Sequence, residues 1–289
     1  MKKKIISILL VMSLLVCNST FISQAKSDSA DDWMVKQLKD YEPYQELMKN
    51  HPDAQKVHGK TEYILNEIIS DQNDEIIKTT KKTFTSQDSM DKYQKDRESK
   101  NKESNVTLFS IIPDSTKYST QYTKIKIGLT LYKYSSSRFF VACVFDWLTP
   151  PPYNLIRCTD GAIGLALDSG MSMDGTSYAG RVTSVEEARG IVKDYISSEG
   201  KLKINADSAN AIGAVFHIPY PTSDIYGILS CNAYKNAPSI QYCSAFAEYD
   251  SVGISLSPSS ISVSFPAGIS FDLLTSRTRY TYQDALSIS

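Results

Sequence analysis

Histidine is scarce in this chain, at three residues in 289, and charge imbalance is lacking, with 31 lysines and arginines against 32 aspartates and glutamates. Nucleic acids are held through their phosphates by a basic face, so the balanced charge gives no electrostatic basis for a nucleic-acid partner. Cysteine is sparse as well, at five residues. No two of them stand at the close spacing of a zinc site, and no metal is expected. The sequence contains no G-x-S-x-G elbow, no H-E-x-x-H helix, no phosphate-binding glycine loop and no dinucleotide fingerprint. No cofactor is expected, and the common enzyme classes lose their local signatures. Beyond the first residues no apolar run approaches the roughly 20 residues that a membrane-spanning helix needs.

The N-terminus itself is patterned. Lys2, Lys3 and Lys4 precede an apolar run from Ile5 to Val16, and Ser23 and Ala25 satisfy the small-x-small rule. This is the form of a secretory signal peptide over 1–25, with cleavage expected after Ala25 and a secreted, extracellular mature chain. Lipid anchoring at Cys17 is the lesser alternative, because Val16 stands where a small residue is expected. With 18 Tyr and 10 Phe the composition suits a β-rich extracellular protein.

Periodicity divides the rest of the chain. Trp33, Met34, Leu38 and Tyr41, then Tyr44, Leu47 and Met48, recur at helical steps, with Pro43 separating two short pieces. A second amphipathic run places Ile64, Leu65, Ile68 and Ile69 on one helical face. Residues 26–85 therefore read as a helical N-terminal region. The segment 86–105 is about half charged and almost without apolar residues, so it reads as a flexible linker that cannot offset its ordering entropy.

From 106 to 289 the period becomes two. Ile125, Ile127, Leu129 and Leu131 alternate with polar residues or glycine. "FFVACVFDW" comes after a serine-rich turn. Val252, Ile254 and Leu256, and then Ile261, Val263 and Phe265, alternate with serines around a turn at Pro258-Ser259. One helix is expected between these blocks, from the capping spacing of Ser184 and Glu187 through Ile196, ended by Gly200. The fold class expected is mainly β: an antiparallel β-sandwich with one inserted helix, preceded by a short α-helical, highly charged N-terminal region.

Four cysteines lie beyond the signal. The midpoint of Cys231 and Cys243 is Ala237, inside a turn signal, and that of Cys143 and Cys158 falls between Pro150 and Pro151. Hairpins centred at these points would set each pair opposite one another, predicting the disulfides Cys143–Cys158 and Cys231–Cys243. Each would close a loop of about 15 residues and contribute on the order of 3 kcal/mol.

Candidate chemistry is thin. His51 and His58 read as solvated side chains and His217 as a structural histidine at a strand end. Asp146, Asp160, Asp168 and Asp174 are the carboxylates that a hydrolytic site would draw on. The stretch Asp168–Gly175 reads as an Asx-rich turn rather than a calcium loop. Trp147, Tyr153, Tyr220 and Tyr226, all near proline-rich loop ends, are the candidate ligand-binding residues, because exposed aromatics can stack on sugars or anchor a protein.

The leading reading is a secreted, non-enzymatic β-sandwich that binds an extracellular glycan, cell-wall polymer or protein. The alternative is a secreted membrane-active or antagonistic protein of toxin or bacteriocin type. The third is an extracellular hydrolase, which requires two carboxylates, or His217 with one, to meet in a cleft.

Overall fold

The computed structural model describes residues 30–71, 76–108, 119–150, 160–186, 190–218, 222–252, 261–264, 267–271 and 277–289. Residues 1–25, expected to be a signal peptide, lie outside them, and with them Cys17 and the cleavage expected after Ala25. Two helices come first, α1 (Ala30–Lys39) and α2 (Glu42–Asn50). The strands β1 (Gln55–Ser70) and β2 (Ile76–Phe84) precede a third helix, α3 (Gln87–Leu108). The remaining strands are β3 (Ser119–Lys133), β4 (Arg138–Thr149), β5 (Asp160–Leu167), β6 (Met171–Glu186), β7 (Ile191–Ile196) and β8 (Lys203–Ser208). They continue with β9 (Ala211–His217), β10 (Thr222–Lys235), β11 (Tyr242–Val252), β12 (Ile261–Ser264), β13 (Gly268–Phe271) and β14 (Arg277–Ser287).

The expected alternation in β3 builds the frame. Ile125, Ile127, Leu129 and Leu131 are fully buried, as are Phe139, Val141, Cys143 and Phe145 of β4. They belong to one seven-stranded antiparallel sheet in the order β2-β1-β3-β4-β10-β6-β7. Across from it a five-stranded sheet, β14-β11-β5-β9-β8, contributes Ile163, Leu165, Ile212, Ala247 and Tyr249 to the same apolar cluster. The chain is therefore an antiparallel β-sandwich. Each fully buried aliphatic side chain in that cluster favours folding by about 1.5–3 kcal/mol.

Both outer faces are covered. On the seven-stranded sheet, Met34, Leu38, Tyr41 and Leu47 of the N-terminal helical segment pack on Tyr132, Phe140, Ala142, Val144 and Ile228. On the five-stranded sheet, the β12–β13 hairpin lays Val263 and Ile269 over Ala162, Ala166, Ala211, Val215 and Phe246. Gly164 makes that approach possible, since a Cβ there would lie 2.8 Å from Ile269 Cγ1.

Several expectations are corrected. The run around Ile64 is the strand β1, not a helix. Its inner face gives Ile64 and Ile68 to the sandwich core, while Tyr63 and Leu65 face Met90 of α3. A strand buried on both faces loses its alternation, which is why it imitates helical spacing. Since β1 pairs with β3 from Gln55 to Ser70, residues 55–85 are part of the sandwich rather than of a separate helical leader.

The charged segment expected to be a linker is the helix α3. Its mean hydropathy is low, and it is held at a few points: Met90 is fully buried, Lys124 pairs with Asp91 at 2.6 Å, and Arg97 reaches both carboxylate oxygens of Glu67 at 3.0 Å. The inserted helix over 184–196 is instead the end of β6 and the strand β7, paired from Arg181–Ile196 to Glu186–Ile191. Gly190, at φ 61°, breaks the run between them, and β-branched residues then favour a strand. Of the serine-rich hairpin, 253–260 lie outside the described residues, and β12 pairs with β13.

The Cys231–Cys243 bridge is not formed. Cys231 lies on β10 opposite Val141, whereas Cys243 lies on β11 opposite Leu286 in the other sheet. The turn around Ala237 crosses between sheets instead of closing a ladder, so residues equidistant from it are not set opposite one another. Cys143, Cys231 and Cys243 are buried free thiols. Cys158 lies outside the described residues, and with it the Cys143–Cys158 pairing. No helix among the described residues is long and apolar enough to cross a membrane.

Candidate functional site

The site is built where α1 and α2 lie on the seven-stranded sheet. Gly128 of β3 lets α1 come close, since a Cβ at that position would stand 2.6 Å from Met34 Sδ and 2.9 Å from the Lys60 carbonyl. Tyr41 links the helices. Its backbone is extended at the N-cap of α2, with φ −102° and ψ 114°, and Pro43 occupies the first turn. The Tyr41 side chain does not cap the helix. Its hydroxyl instead meets Ser230 Oγ of β10 at 2.8 Å, in a buried setting. Burial holds the Tyr41 phenol well above the usual tyrosine range, against the hydrogen bond with Ser230, which favours ionisation.

At the other end of α2 the backbone N–H of His51 donates to Leu47 O at 2.8 Å, and its ring lies 4.7 Å from that of Tyr134. Tyr44 meets Tyr132 edge-on at 5.1 Å. These contacts anchor one flank of α2 and leave the other standing over β10 and β6.

A groove runs along that flank. One chamber of about 310 Å³ is lined by Glu46, Asn50 and His51 on the helix side and by Tyr134, Tyr178 and Asn232 on the sheet side. A second, of about 300 Å³, adjoins it through Pro43, Glu46 and Ala179 and is lined further by Asp40, Glu42, Arg181 and Ser197. A third, of about 120 Å³, continues past Asp40, Tyr41 and Arg181 to Gln37, Thr183 and Tyr226.

The two banks differ in charge. Asp40, Glu42 and Glu46 form no ion pair among the described residues, and all three are exposed. The cation facing them, Arg181, is already engaged: it approaches both oxygens of Asp194 at 3.4 Å and donates to the Asp40 carbonyl at 3.3 Å. Lys36, Lys39 and Lys49 balance these acids along the two helices but do not line the chambers, so the helix side of the groove presents carboxylates, with Glu46 alone reaching the chamber walled by Tyr134, Tyr178 and Asn232.

The sequence candidates are distributed unevenly. Tyr226 lines the small chamber at the end of the groove. Trp147 is corrected: at 3% exposure it lies in the core, edge-on to Tyr249 at 5.3 Å and to Tyr280 at 4.9 Å. The alternation of β4 puts residue 147 on the inner face with 141, 143 and 145, so proximity to a loop did not make it a surface residue. Tyr153 and Tyr220 lie outside the described residues. His51, read as a solvated side chain, lines the groove, and His58 stands 3.5 Å from Asp284.

The four carboxylates do not converge. Asp146 pairs with Lys126 at 2.8 Å. Asp174 pairs with Arg138. Asp168 closes the β5–β6 turn: it accepts from Gly170 N at 2.7 Å, from Ser244 N at 2.6 Å and from Cys243 Sγ at 3.0 Å. Burial alone would raise its pKa, but the donors from Cys243, Ser244 and Gly170 outweigh it and hold the group below the usual carboxylate range. The buried Asp160 meets His217 Nδ1 at 3.0 Å across the β5–β9 pair. A base of the triad type also needs a nucleophile, and among the described residues no serine, threonine or cysteine shares a hydrogen bond with His217.

What sequence reading missed is the row Glu42, Glu46 and Asn50. Its four-residue spacing along α2 was visible, but nothing local says which bank it faces.

No protein-family model matches the chain, and no curated protein sequence matches it. Among solved structures, the collagen-binding subdomain of the Enterococcus faecalis surface protein ACE superposes with TM-score 0.30 at 11% identity, covering 51% of this chain and 87% of that one. The collagen-binding domain of a Staphylococcus aureus adhesin gives TM-score 0.28 at 12% identity, covering 40% and 76%. Clostridium perfringens delta-toxin gives TM-score 0.23 at 9% identity, covering 61% and 93%. Likenesses this distant carry no argument about what the chain binds or does.

Proposed function

We propose that the protein acts outside the cytoplasm as a non-enzymatic binding protein, and that its ligand lies in the groove between the helix pair and the seven-stranded sheet. The supporting observation is the groove itself: adjoining chambers of about 310 and 300 Å³ with an aromatic wall on one side and unpaired carboxylates on the other. Concave sites of about this volume are where ligands are ordinarily held. The patterned N-terminus supports export. Asp146, Asp168 and Asp174 are each held by their own partners, which weighs against a paired-carboxylate hydrolase, and the Asp160–His217 contact has no serine, threonine or cysteine bonded to the histidine among the described residues.

The test is a binding panel of peptidoglycan fragments, wall glycans and extracellular-matrix proteins, measured with the full secreted chain and with Glu46→Trp. Glu46 is exposed and lines both larger chambers, so an indole there fills the groove without disturbing the core. At least one ligand is expected whose binding Glu46→Trp abolishes while circular dichroism is unchanged. A panel with no ligand, or a ligand bound equally by both proteins, rejects the groove as the binding site.

A second reading has one observation in its favour. Ile76 and Ile77, on one edge strand of the seven-stranded sheet, and Ile191 and Val192, on the other, are exposed apolar residues. They suit contact with a lipid surface. Vesicles loaded with dye that stay intact, and fail to sediment with the protein, exclude the membrane-active reading.

A further inference from the structure

Resting on that groove reading, we infer that the occupant is an extended, positively charged protein segment carrying lysine or arginine at alternate positions. The helix bank sets the spacing. Glu42 and Glu46 line the same chamber four residues apart on α2, which puts them about 6 Å apart along the helix axis. An extended chain presents successive side chains on one face about 6.6 Å apart. A strand-like segment lying along α2 therefore brings two alternate side chains level with Glu42 and Glu46, while Asp40, two residues before Glu42, lines the same chamber.

Charge selects the side chains. Asp40, Glu42 and Glu46 form no ion pair among the described residues, and Lys36, Lys39 and Lys49 of the same helices do not line the chambers; Arg181, across the groove, makes long contacts of 3.3–3.4 Å to Asp194 and the Asp40 carbonyl. A lysine ammonium or arginine guanidinium in the groove completes these carboxylates, while an anionic polymer meets their repulsion. Tyr134 and Tyr178 line the chamber that Glu46 shares, and aromatic rings beside a carboxylate suit a cation and its aliphatic stem. Asn50 and Asn232, at the far chamber, each supply a donor and an acceptor suited to a peptide backbone. A neutral glycan would use the rings but leave the carboxylate row unmatched.

The test uses fluorescence anisotropy with labelled eight-residue peptides alternating Lys with Thr, Glu with Thr, and Ser with Thr, against the full secreted chain. Two exposed ion pairs predict that the Lys–Thr peptide binds about two- to thirtyfold more tightly than the Ser–Thr peptide. The preference shrinks as salt is raised. Glu42→Gln combined with Glu46→Gln removes it, whereas Asp96→Asn on the exposed part of α3 does not. Equal affinity for the three peptides overturns the inference, as does an equal loss in Asp96→Asn. If a neutral polymer binds and Glu46→Trp abolishes that binding, the groove stands and the cationic occupant falls.

Discussion

Tyr41 and Ser230, separated by 189 residues of chain, share a buried hydroxyl-to-hydroxyl hydrogen bond of 2.8 Å. It fastens the junction of the two N-terminal helices to the centre of the sheet, at the point where the groove chambers meet. Tyr41→Phe keeps the ring and leaves Ser230 Oγ buried without its partner, so it should cost about 1–2 kcal/mol in urea unfolding. Ser230→Ala together with Tyr41→Phe should recover part of that loss, because both polar atoms are then gone. A double-mutant cycle measures it.

Gly128 is the other requirement for docking the helices. A methyl group there meets Met34 Sδ and the Lys60 carbonyl at distances that real Cβ atoms do not occupy. Gly128→Ala should destabilise by about 1–3 kcal/mol and displace α1, weakening the groove while the five-stranded sheet is unaffected. Protection of α1 amides in hydrogen exchange should fall far more than protection of β5 and β9.

Alkaline pH should weaken the fold in a defined window. Burial pushes the Cys231 thiol up to about 12 and holds the Tyr41 phenol above its usual range. Burial, together with the nearby Glu67 carboxylate, raises Tyr122 to about 12. Groups raised in the folded state favour it fully below their unfolded values and lose that contribution as pH rises through the folded ones. Stability should therefore hold to about pH 9 and decline toward pH 12, with Tyr41 ionising only on unfolding. Urea midpoints and tyrosinate absorbance followed across that range check the direction.

The attachment of α3 rests on a buried carboxylate. Glu67 is 3% exposed and takes two hydrogen bonds from Arg97, whose own side chain is 36% exposed. Arg97→Ala strands that carboxylate and should cost about 2 kcal/mol, a figure reduced for the solvent at the arginine. Glu67→Gln with Arg97→Ala should be milder than Arg97→Ala alone. Thermal unfolding of the three variants decides it.

The described thiols should be inert in the native protein. Cys143 and Cys231 are buried in the apolar core and their pKa values are raised by that burial. Native protein should protect Cys143, Cys231 and Cys243 from alkylation, and denatured, unreduced protein should expose all three as free thiols. Peptide mapping that finds Cys231 joined to Cys243 would contradict the placement of β10 and β11 in separate sheets.

Much of the sandwich was legible where one face is dry and the other wet, as in β3 with Ile125 to Leu131. Legibility failed where that contrast vanishes. β1 is buried on both sides between Tyr63 and Ile68, so its apolar residues run together and mimic a helix. α3 carries so few apolar contacts that its composition resembles a disordered linker, yet Met90 and the Arg97–Glu67 pair are enough to seat it. The groove could not be read locally, because Glu46, Arg181 and Tyr226 come from three distant parts of the chain. Only the helical pieces around Leu38 and Leu47, correctly expected, hinted that something lies across the sheet.

The most direct measurement is amide chemical-shift mapping by NMR as the Lys–Thr peptide is added to the full chain. A cationic strand in the groove predicts perturbations at residues 40–51, 177–181 and 226–232, along both banks. Perturbations confined to the strand ends around Asp160 and His217, or none at saturating peptide, would contradict it.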